Sequence, residues 1–331
     1  MKICFCESDA WTESRVRATV GDHVLVFSES VAENADIPTD TEVLSVFVNS
    51  RVTGAVMDRL PNLKLIVTRS TGYDHIDNQA AIARGIVVCN VPSYGERTVA
   101  EYTFALLLAV SRRLYPALLR VHTESSFHTE GLTGFDLAGK TLGVIGTGRI
   151  GCHVIEMAKG FAMHVVAYDP FPREGLEEQM GMRYVSLEEL LKTSDVITLH
   201  APYMASTHHL LHSGNMPHIK RGAVLINTAR GSLVETTALV AALDSGLLAG
   251  AGLDVLEEEQ FLGAESALLS GKSETAKMET VLADHQLLHY PNVLVSPHNA
   301  FNTIEARERI LDTTVQNIHA FVSGAVQHIV R

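Results

Sequence analysis

Cysteine is scarce and unpatterned in this chain. Its four residues, Cys4, Cys6, Cys89 and Cys152, show no CxxC spacing and no disulfide framework. A stapled scaffold is not expected, and thiols of this kind suit a reducing cytosol. No lysine- or arginine-rich run occurs either. With 26 basic against 38 acidic residues the net charge is -12, which repels phosphate backbones and anionic lipid surfaces. We therefore expect no nucleic-acid partner and no membrane partner. Stretches of about 18 uncharged apolar residues, the length that spans a bilayer, are missing. The start, Met1-Lys-Ile-Cys-Phe-Cys-Glu-Ser-Asp9, lacks a charged leader followed by an apolar run. Export is not expected, and the expected location is cytoplasmic. Internal repeats and low-complexity segments are also missing.

What is present is a soluble composition, 46% hydrophobic and 19% charged over 331 residues, enough for two domains with cores of their own. Short β-branched runs alternate with helix-length segments: 3–6, 24–27, 43–48, 63–68 and 86–91. This is the rhythm of a parallel sheet with crossover helices. Cys4 and Cys6 alternate along the first run and share one face of an edge or core strand. The pattern breaks at Pro92-Ser-Tyr94-Gly95, and a long apolar helix follows, with Thr98 and Glu101 in capping-box spacing and few polar positions before Arg112 and Arg113. So apolar a helix must be buried. A second series of strands is predicted at 141–145, 164–168, 196–200, 224–227, 249–255 and 293–296, a second doubly wound sheet. From Phe301 to Arg331 only helical periodicity remains, so the chain is expected to return to the first domain. The predicted fold is α/β, with two doubly wound parallel-sheet domains. A Rossmann-type domain (98–299) is inserted into a discontinuous, flavodoxin-like one (1–97 with 300–331).

Three stretches carry chemistry. In the first, Leu142-Gly-Val-Ile145 supplies a strand and Gly146-Thr-Gly148-Arg149-Ile150-Gly151 the turn into a helix. Gly146 makes the tight turn, Gly148 lets amides approach a pyrophosphate, and Gly151 allows close helix packing. The next strand ends at Asp169, 18 positions after Gly151. A carboxylate there accepts the ribose hydroxyls of NAD and repels the extra phosphate of NADP, so NAD is the expected cofactor.

In the second stretch, Asn227-Thr228-Ala229-Arg230-Gly231 follows an apolar strand, at the end where open α/β sheets bind ligands. A guanidinium there grips a carboxylate through two hydrogen bonds and polarises a neighbouring carbonyl. The alternative is a rim arginine paired with a helix carboxylate.

The third stretch is Gly252-Leu-Asp254-Val-Leu-Glu-Glu-Glu259, followed later by Ser296-Pro-His298-Asn-Ala300. Reducing a 2-oxo acid needs a proton donor beside the carbonyl, and a histidine oriented by a carboxylate suits that task. Among sixteen histidines, position after a strand end singles out His298, with Glu259 as its partner. His208, His209 and His212 have spacing that fits a metal on a helix, but no carboxylate or cysteine motif lies near them in sequence, so no metal is expected. His75, His122, His128 and His200 receive no catalytic role; His200-Ala-Pro202 ends a strand and is expected to shape the loop above the cofactor.

In this order the motifs resemble those of the D-isomer-specific 2-hydroxyacid dehydrogenases. The resemblance runs from Arg69-Ser-Thr71-Gly72-Tyr-Asp-His-Ile-Asp77 through Val91-Pro-Ser-Tyr94, the glycine turn, Asn227 to Gly231, Gly252 to Glu259 and Ser296 to His298. It is most like the D-lactate dehydrogenase branch. It implies that His298 is the proton donor, that Glu259 is its partner, and that Arg230 binds the substrate carboxylate and polarises the carbonyl. The backbone at Thr71 and Gly72 would also hold the carboxylate, with Tyr94 nearby. Asp254 would contact the nicotinamide carboxamide or tune the site, and Asp169 would take the adenosine ribose. Gly146, Gly148, Arg149, Ile150, Gly151, His200, Pro202, Thr228, Ala229 and His298 complete the expected cofactor contacts. The family further implies two domains that close over a small 2-oxo or 2-hydroxy acid, and a homodimer built on the cofactor domain. A departure is the segment from Gln260 to Pro291, longer than in many relatives and rich in small and polar residues such as Gly263, Ser266, Ser270, Gly271 and Ser273.

The expected reaction is NAD-dependent, reversible reduction of a small 2-oxo acid, pyruvate foremost, to the D-2-hydroxy acid. Tyr73, Tyr94 and Phe301 suggest a small or moderately apolar substrate group. A glyoxylate or hydroxypyruvate reductase shares the same catalytic set. A phosphoglycerate dehydrogenase is expected less, because many of those carry a regulatory domain for which no residues remain after Arg331. From another class, an NADH-sensing corepressor would keep the catalytic residues but turn over poorly on every 2-oxo acid.

Overall fold

Runs such as Ile3-Cys-Phe-Cys6 and Val224-Leu-Ile226 have almost no polar position to offer solvent, so they become parallel strands covered on both faces. The computed structural model describes residues 1–31, 36–262 and 275–330. They form two compact units, Met1–Gly95 with Asn302–Arg331, and Glu96–Phe301.

The first unit carries strands β1 (Lys2–Cys6), β2 (Val24–Ser28), β3 (Val43–Val46), β4 (Leu65–Thr68) and β5 (Val87–Cys89). They form a five-stranded parallel sheet in the order β2-β1-β3-β4-β5, the doubly wound order of a flavodoxin-like fold. Strand alternation sorts β1 between two cores. Ile3 and Phe5 pack with Leu311, Val315 and Ile318 of the terminal helix Ile304–Val322. Cys4 and Cys6 pack on the opposite face with Met57, Leu60 and Ile66. The cysteines thus sit on a core strand, all four are free thiols, and the terminal helix completes the first unit.

The second unit holds β6 (Thr141–Ile145), β7 (His164–Tyr168), β8 (Arg183–Tyr184), β9 (Val196–Leu199), β10 (Ala223–Asn227), β11 (Leu248–Leu253) and β12 (Val293–Val295). Its seven-stranded sheet has the order β12-β11-β10-β9-β6-β7-β8, parallel throughout. The winding reverses between β6 and β9, so the glycine turn after β6 opens at the switch point where such sheets bind ligands. The two-residue strand β8 has no apolar run and was not foreseen.

The long apolar helix spans Glu96–Ser111. It begins one turn earlier than the capping-box spacing implied, with Glu96 in the first turn, where a carboxylate complements the helix dipole. Thr98 lies in the helix body and is buried, so it does not cap it. The helix lies against β11 across Gly252, where an added Cβ would stand 3.1 Å from the Leu106 Cβ. Arg113, in the left-handed region at φ 48°, turns the chain into the helix Leu114–Glu124. Of the unusual segment Gln260–Pro291, residues 263–274 lie outside the described residues, and with them Gly263, Ser266, Ser270, Gly271 and Ser273. Its helix Thr275–Leu287 packs on the helix Thr236–Asp244. Among the described residues no helix is long and apolar enough to cross a membrane.

Candidate active site

The strand ends of the second unit's sheet place the chemistry. After β6, Gly146 takes φ +94°, and a Cβ on it would lie 2.8 Å from the His200 carbonyl carbon. A Cβ on Gly151 would lie 2.0 Å from the Gly146 carbonyl oxygen, so only glycine lets the helix Arg149–Gly160 start this close to the strand. Gly148, at the N-cap, faces open space within 4 Å, where its missing side chain exposes the amides of the helix N-terminus. Arg149, in the first turn, pairs with Glu96 at 3.1 Å, and Ile150 packs on the core beneath. Asp169, just past β7, accepts the Thr147 amide at 2.8 Å and hydroxyl at 2.9 Å, and the Phe171 amide at 2.9 Å. This carboxylate is held at the mouth of the turn, where a ribose would lie. Glycines, open helix end and acid together fit a dinucleotide.

His200, after β9, is tied through Nε2 to the Thr198 hydroxyl at 2.8 Å, and its enclosed surroundings push its pKa well below the ordinary imidazole range, so it is neutral. The Pro202 carbonyl accepts the Thr207 hydroxyl at 2.7 Å, which closes the following turn. Both residues shape the loop beside the glycine turn.

After β10, Asn227 folds the next turn with its side chain: Oδ1 accepts the Ala229 amide at 3.0 Å and Nδ2 donates to the Arg230 carbonyl at 2.9 Å. The Thr228 hydroxyl meets that of Thr103 at 2.9 Å, pinning the turn to the helix Glu96–Ser111. Arg230 has extended backbone (φ −146°), and its guanidinium donates to the Ala229 carbonyl at 2.8 Å. A Cβ on Gly231 would strike the Leu256 carbonyl at 2.0 Å. The arginine turn is therefore pressed against the segment that leads to Glu259.

Past β11, Asp254 is 1% exposed. Its carboxylate accepts the Ser296 hydroxyl at 2.6 Å and the amides of Asn299 at 2.8 Å and Ala300 at 2.7 Å, and its carbonyl accepts the His298 amide at 2.9 Å. Burial raises its pKa, against these hydrogen bonds. Asp254 thus organises the loop that bears His298. That loop holds His298 at φ +50°, a conformation that costs a non-glycine residue free energy and persists where its surroundings impose it. His298 Nδ1 lies 2.9 Å from Glu259 Oε1, and Glu259 Oε2 accepts the Leu256 amide at 3.3 Å. With Nδ1 engaged, Nε2 is the nitrogen left to exchange a proton with a substrate.

Thr71, Gly72 and Tyr94 lie in the first unit. The Thr71 hydroxyl donates to the Val91 carbonyl at 2.9 Å, its carbonyl accepts Asn90 Nδ2 at 2.8 Å, and the Ser70 hydroxyl donates to the Gly72 carbonyl at 2.6 Å. The Tyr94 carbonyl accepts Arg309 Nε at 2.6 Å.

Sequence reading missed the partner of His209. The carboxylate that seemed absent is Glu257, 48 residues away, whose Oε1 lies 2.5 Å from His209 Nε2. His208, His209 and Glu257 place one ligand atom each within 4.8 Å of one another. Yet the two rings stack with centroids 3.8 Å apart and planes 23° from parallel, so their in-plane lone pairs run side by side and do not converge on one ion. Both Glu257 oxygens are engaged as well, the second by the Thr236 amide and hydroxyl. In this arrangement the trio is a buttress for Glu257.

Comparison with known proteins agrees with this geometry. Residues 104–300 match the family model described as "D-isomer specific 2-hydroxyacid dehydrogenase, NAD binding domain". A "2-hydroxyacid dehydrogenase homolog" of Haemophilus influenzae is 39% identical over 86% of this chain and 84% of its own length. A glyoxylate reductase of Korarchaeum cryptofilum is 36% identical over 87% of this chain and 81% of its own. The crystal structure of D-lactate dehydrogenase from Aquifex aeolicus, complexed with NAD and lactic acid, superposes with a TM-score of 0.86 at 37% identity, covering 98% of this chain and 96% of that one.

Proposed function

Since the chain belongs to the D-isomer-specific 2-hydroxyacid dehydrogenase family, NAD-dependent oxidoreductases, we propose that it reversibly reduces a small 2-oxo acid, pyruvate first, to the D-2-hydroxy acid. The observation that carries this reading is the pair of His298 and Glu259 at 2.9 Å, on strand-end loops of the sheet that bears the glycine turn. NADH, when bound, supplies the hydride that reaches the substrate's carbonyl carbon.

The protein's own residues do the rest. In reduction, His298 Nε2 gives a proton to the carbonyl oxygen as negative charge develops there, and in oxidation it takes the proton back. Glu259 orients the ring, and its carboxylate at 2.9 Å complements the charge the ring carries when it holds both protons. Arg230 grips the carboxylate and stabilises the developing oxyanion. Asp254 holds the His298 loop, and Asp169 with Gly146, Gly148 and Gly151 supports the cofactor's adenosine half. The substrate roles that the resemblance gives to Thr71, Gly72 and Tyr94 are a separate proposal.

A second reading has a specific observation in its favour: two glyoxylate reductases stand among the relatives, at 36% and 37% identity. Initial rates of NADH and NADPH oxidation with pyruvate, hydroxypyruvate, glyoxylate, 2-oxobutyrate and phenylpyruvate, then oxidation of each lactate enantiomer, separate the two. Fast NADH-dependent pyruvate reduction with oxidation of D-lactate alone is the expected result. Preference for glyoxylate turns the assignment to the second reading, and no turnover of any 2-oxo acid by an NADH-binding protein overturns both.

We also propose a homodimer and a cytosolic location. The helix Leu114–Glu124 buries none of its residues within the chain and presents Leu114, Tyr115, Leu118, Leu119 and Val121 to solvent, an apolar stripe that a second copy would cover. Free thiols at all four cysteines suit a reducing compartment. Equilibrium sedimentation with Leu118→Asp tests the dimer; an unchanged assembly state removes this face from the interface.

A further inference from the structure

A carboxyl group lies sealed behind the active-site loop with no part in the reaction derived above. Asp284, on the helix Thr275–Leu287, is 0% exposed. Its Oδ2 accepts the Glu258 amide at 3.0 Å, and its Oδ1 lies 3.3 Å from the Thr236 hydroxyl. That same hydroxyl lies 3.0 Å from Glu257 Oε2. Among the described residues, the charged groups facing Asp284 are Glu257 and Glu258 from the loop, both of its own sign, while the helix Thr236–Asp244 presents the Thr236 hydroxyl. On its far side Glu257 lies 2.5 Å from His209 Nε2.

The Thr236 hydroxyl has one hydrogen and two carboxyl neighbours, so it can donate to only one of them. If it donates to Glu257, the contact with Asp284 is a hydrogen bond only when Asp284 carries a proton and donates it to Thr236 Oγ1. Burial beside two other carboxylates pushes in the same direction and raises Asp284 to about 7.

We propose that Asp284 is a positioning residue that acts as a neutral carboxylic acid, clamping the backbone at Glu258 and thereby aiming the adjacent Glu259 at His298. The chain of contacts is continuous: helix carboxyl to Glu258 amide, Glu258 to Glu259 along the backbone, and Glu259 Oε1 to His298 Nδ1 at 2.9 Å. Ionisation of Asp284 puts a third negative charge against Glu257 and Glu258 and removes the donor to Thr236, so the tie to the helix Thr236–Asp244 is lost as pH rises through about 7, while the Glu258 amide keeps its acceptor. This inference rests on the proposed role of Glu259 and His298.

The test compares three variants of the full chain, assayed for NADH-dependent reduction of the best 2-oxo acid. Asp284→Ala leaves the Glu258 amide without its acceptor, and kcat should fall about tenfold with KM for NADH unchanged within about twofold. Asp284→Asn reproduces the neutral acid, its oxygen accepting from Glu258 and its nitrogen donating to Thr236, and should restore kcat. Melting temperatures against pH give a readout that a space-filling role would not move. The stability that the parent draws from protonated Asp284 is complete at low pH and lost as pH rises through about 7, so Asp284→Asn should gain on the parent across that interval. His298 is common to both and cancels. An unchanged kcat in Asp284→Ala, a loss in Asp284→Asn as deep as in the alanine variant, or a pH-independent difference in melting temperature each overturns the proposal. Glu259→Gln is the control: if it is fully active, the underlying reading of the site fails; if it is impaired while Asp284→Ala is not, this inference alone fails.

Discussion

Replacing Glu259 by Gln keeps the shape of the side chain and removes its charge, which isolates what the carboxylate does for His298. In the parent the Oε1 to Nδ1 contact is 2.9 Å, and Oε2 is fixed by the Leu256 amide at 3.3 Å, so a carboxamide fits the same place. A hydrogen bond to a charged group contributes about 1.5–3 kcal/mol, against about 1 kcal/mol for a neutral one. The Glu259 side chain keeps 38% of its surface exposed, so water screens part of that difference and the lower end applies. About 1.4 kcal/mol lost only as His298 becomes charged is a tenfold fall in kcat for oxidation of the 2-hydroxy acid, the direction in which His298 takes up the proton. Because the Gln side chain touches neither the glycine turn nor Asp169, the KM for NADH should stay within about twofold. Steady-state rates of 2-hydroxy acid oxidation, with substrate deuterated at C2 as a probe of the chemical step, give the first, and NADH titrations in the reductive direction give the second. A kcat within twofold of the parent would refute the claim that Glu259 supports the protonated imidazole.

Other perturbations follow from the same geometry. On the proposed role of Arg230, Arg230→Gln removes the bidentate grip and the charge beside the oxyanion, and kcat/KM should fall by about two orders of magnitude or more; retention of parent efficiency on every 2-oxo acid tested would exclude Arg230 from the site. Gly231→Ala places a Cβ 2.0 Å from the Leu256 carbonyl, which is backbone and cannot swing aside. Displacing that segment should destabilise the protein by about 1–3 kcal/mol, read by denaturant titration, and also lower kcat. Asp169→Ser removes the negative charge at the turn, so the ratio of kcat/KM for NADPH to that for NADH should rise by about tenfold or more; an unchanged ratio assigns cofactor choice elsewhere.

The parts of the site that were legible in sequence are those that parallel sheets force together. Residues that follow different strands meet at one edge, so Gly146 to Gly151, Asp169, Arg230 and His298 were found from strand ends, and His298 found Glu259 across 39 residues because a proton donor needs an orienting partner. The helix start at Glu96 and the strand Arg183–Tyr184 were not legible: tertiary burial of Thr98 outweighed its capping spacing, and two residues carry no period. The supporting layer was hidden for a different reason. His209 with Glu257, Asp284 with Glu258 and Asp254 with Ser296 are hydrogen bonds between loops or helices whose relative register no periodicity encodes. Asp254 shows the consequence. A carboxylate directly after a strand reads as a ligand contact, and here three donors from the Ser296–Ala300 loop converge on its oxygens, two of them backbone amides. The acid at that strand end fixes the left-handed turn at His298, so on the proposed mechanism Asp254→Asn should lower kcat before it changes the KM for NADH.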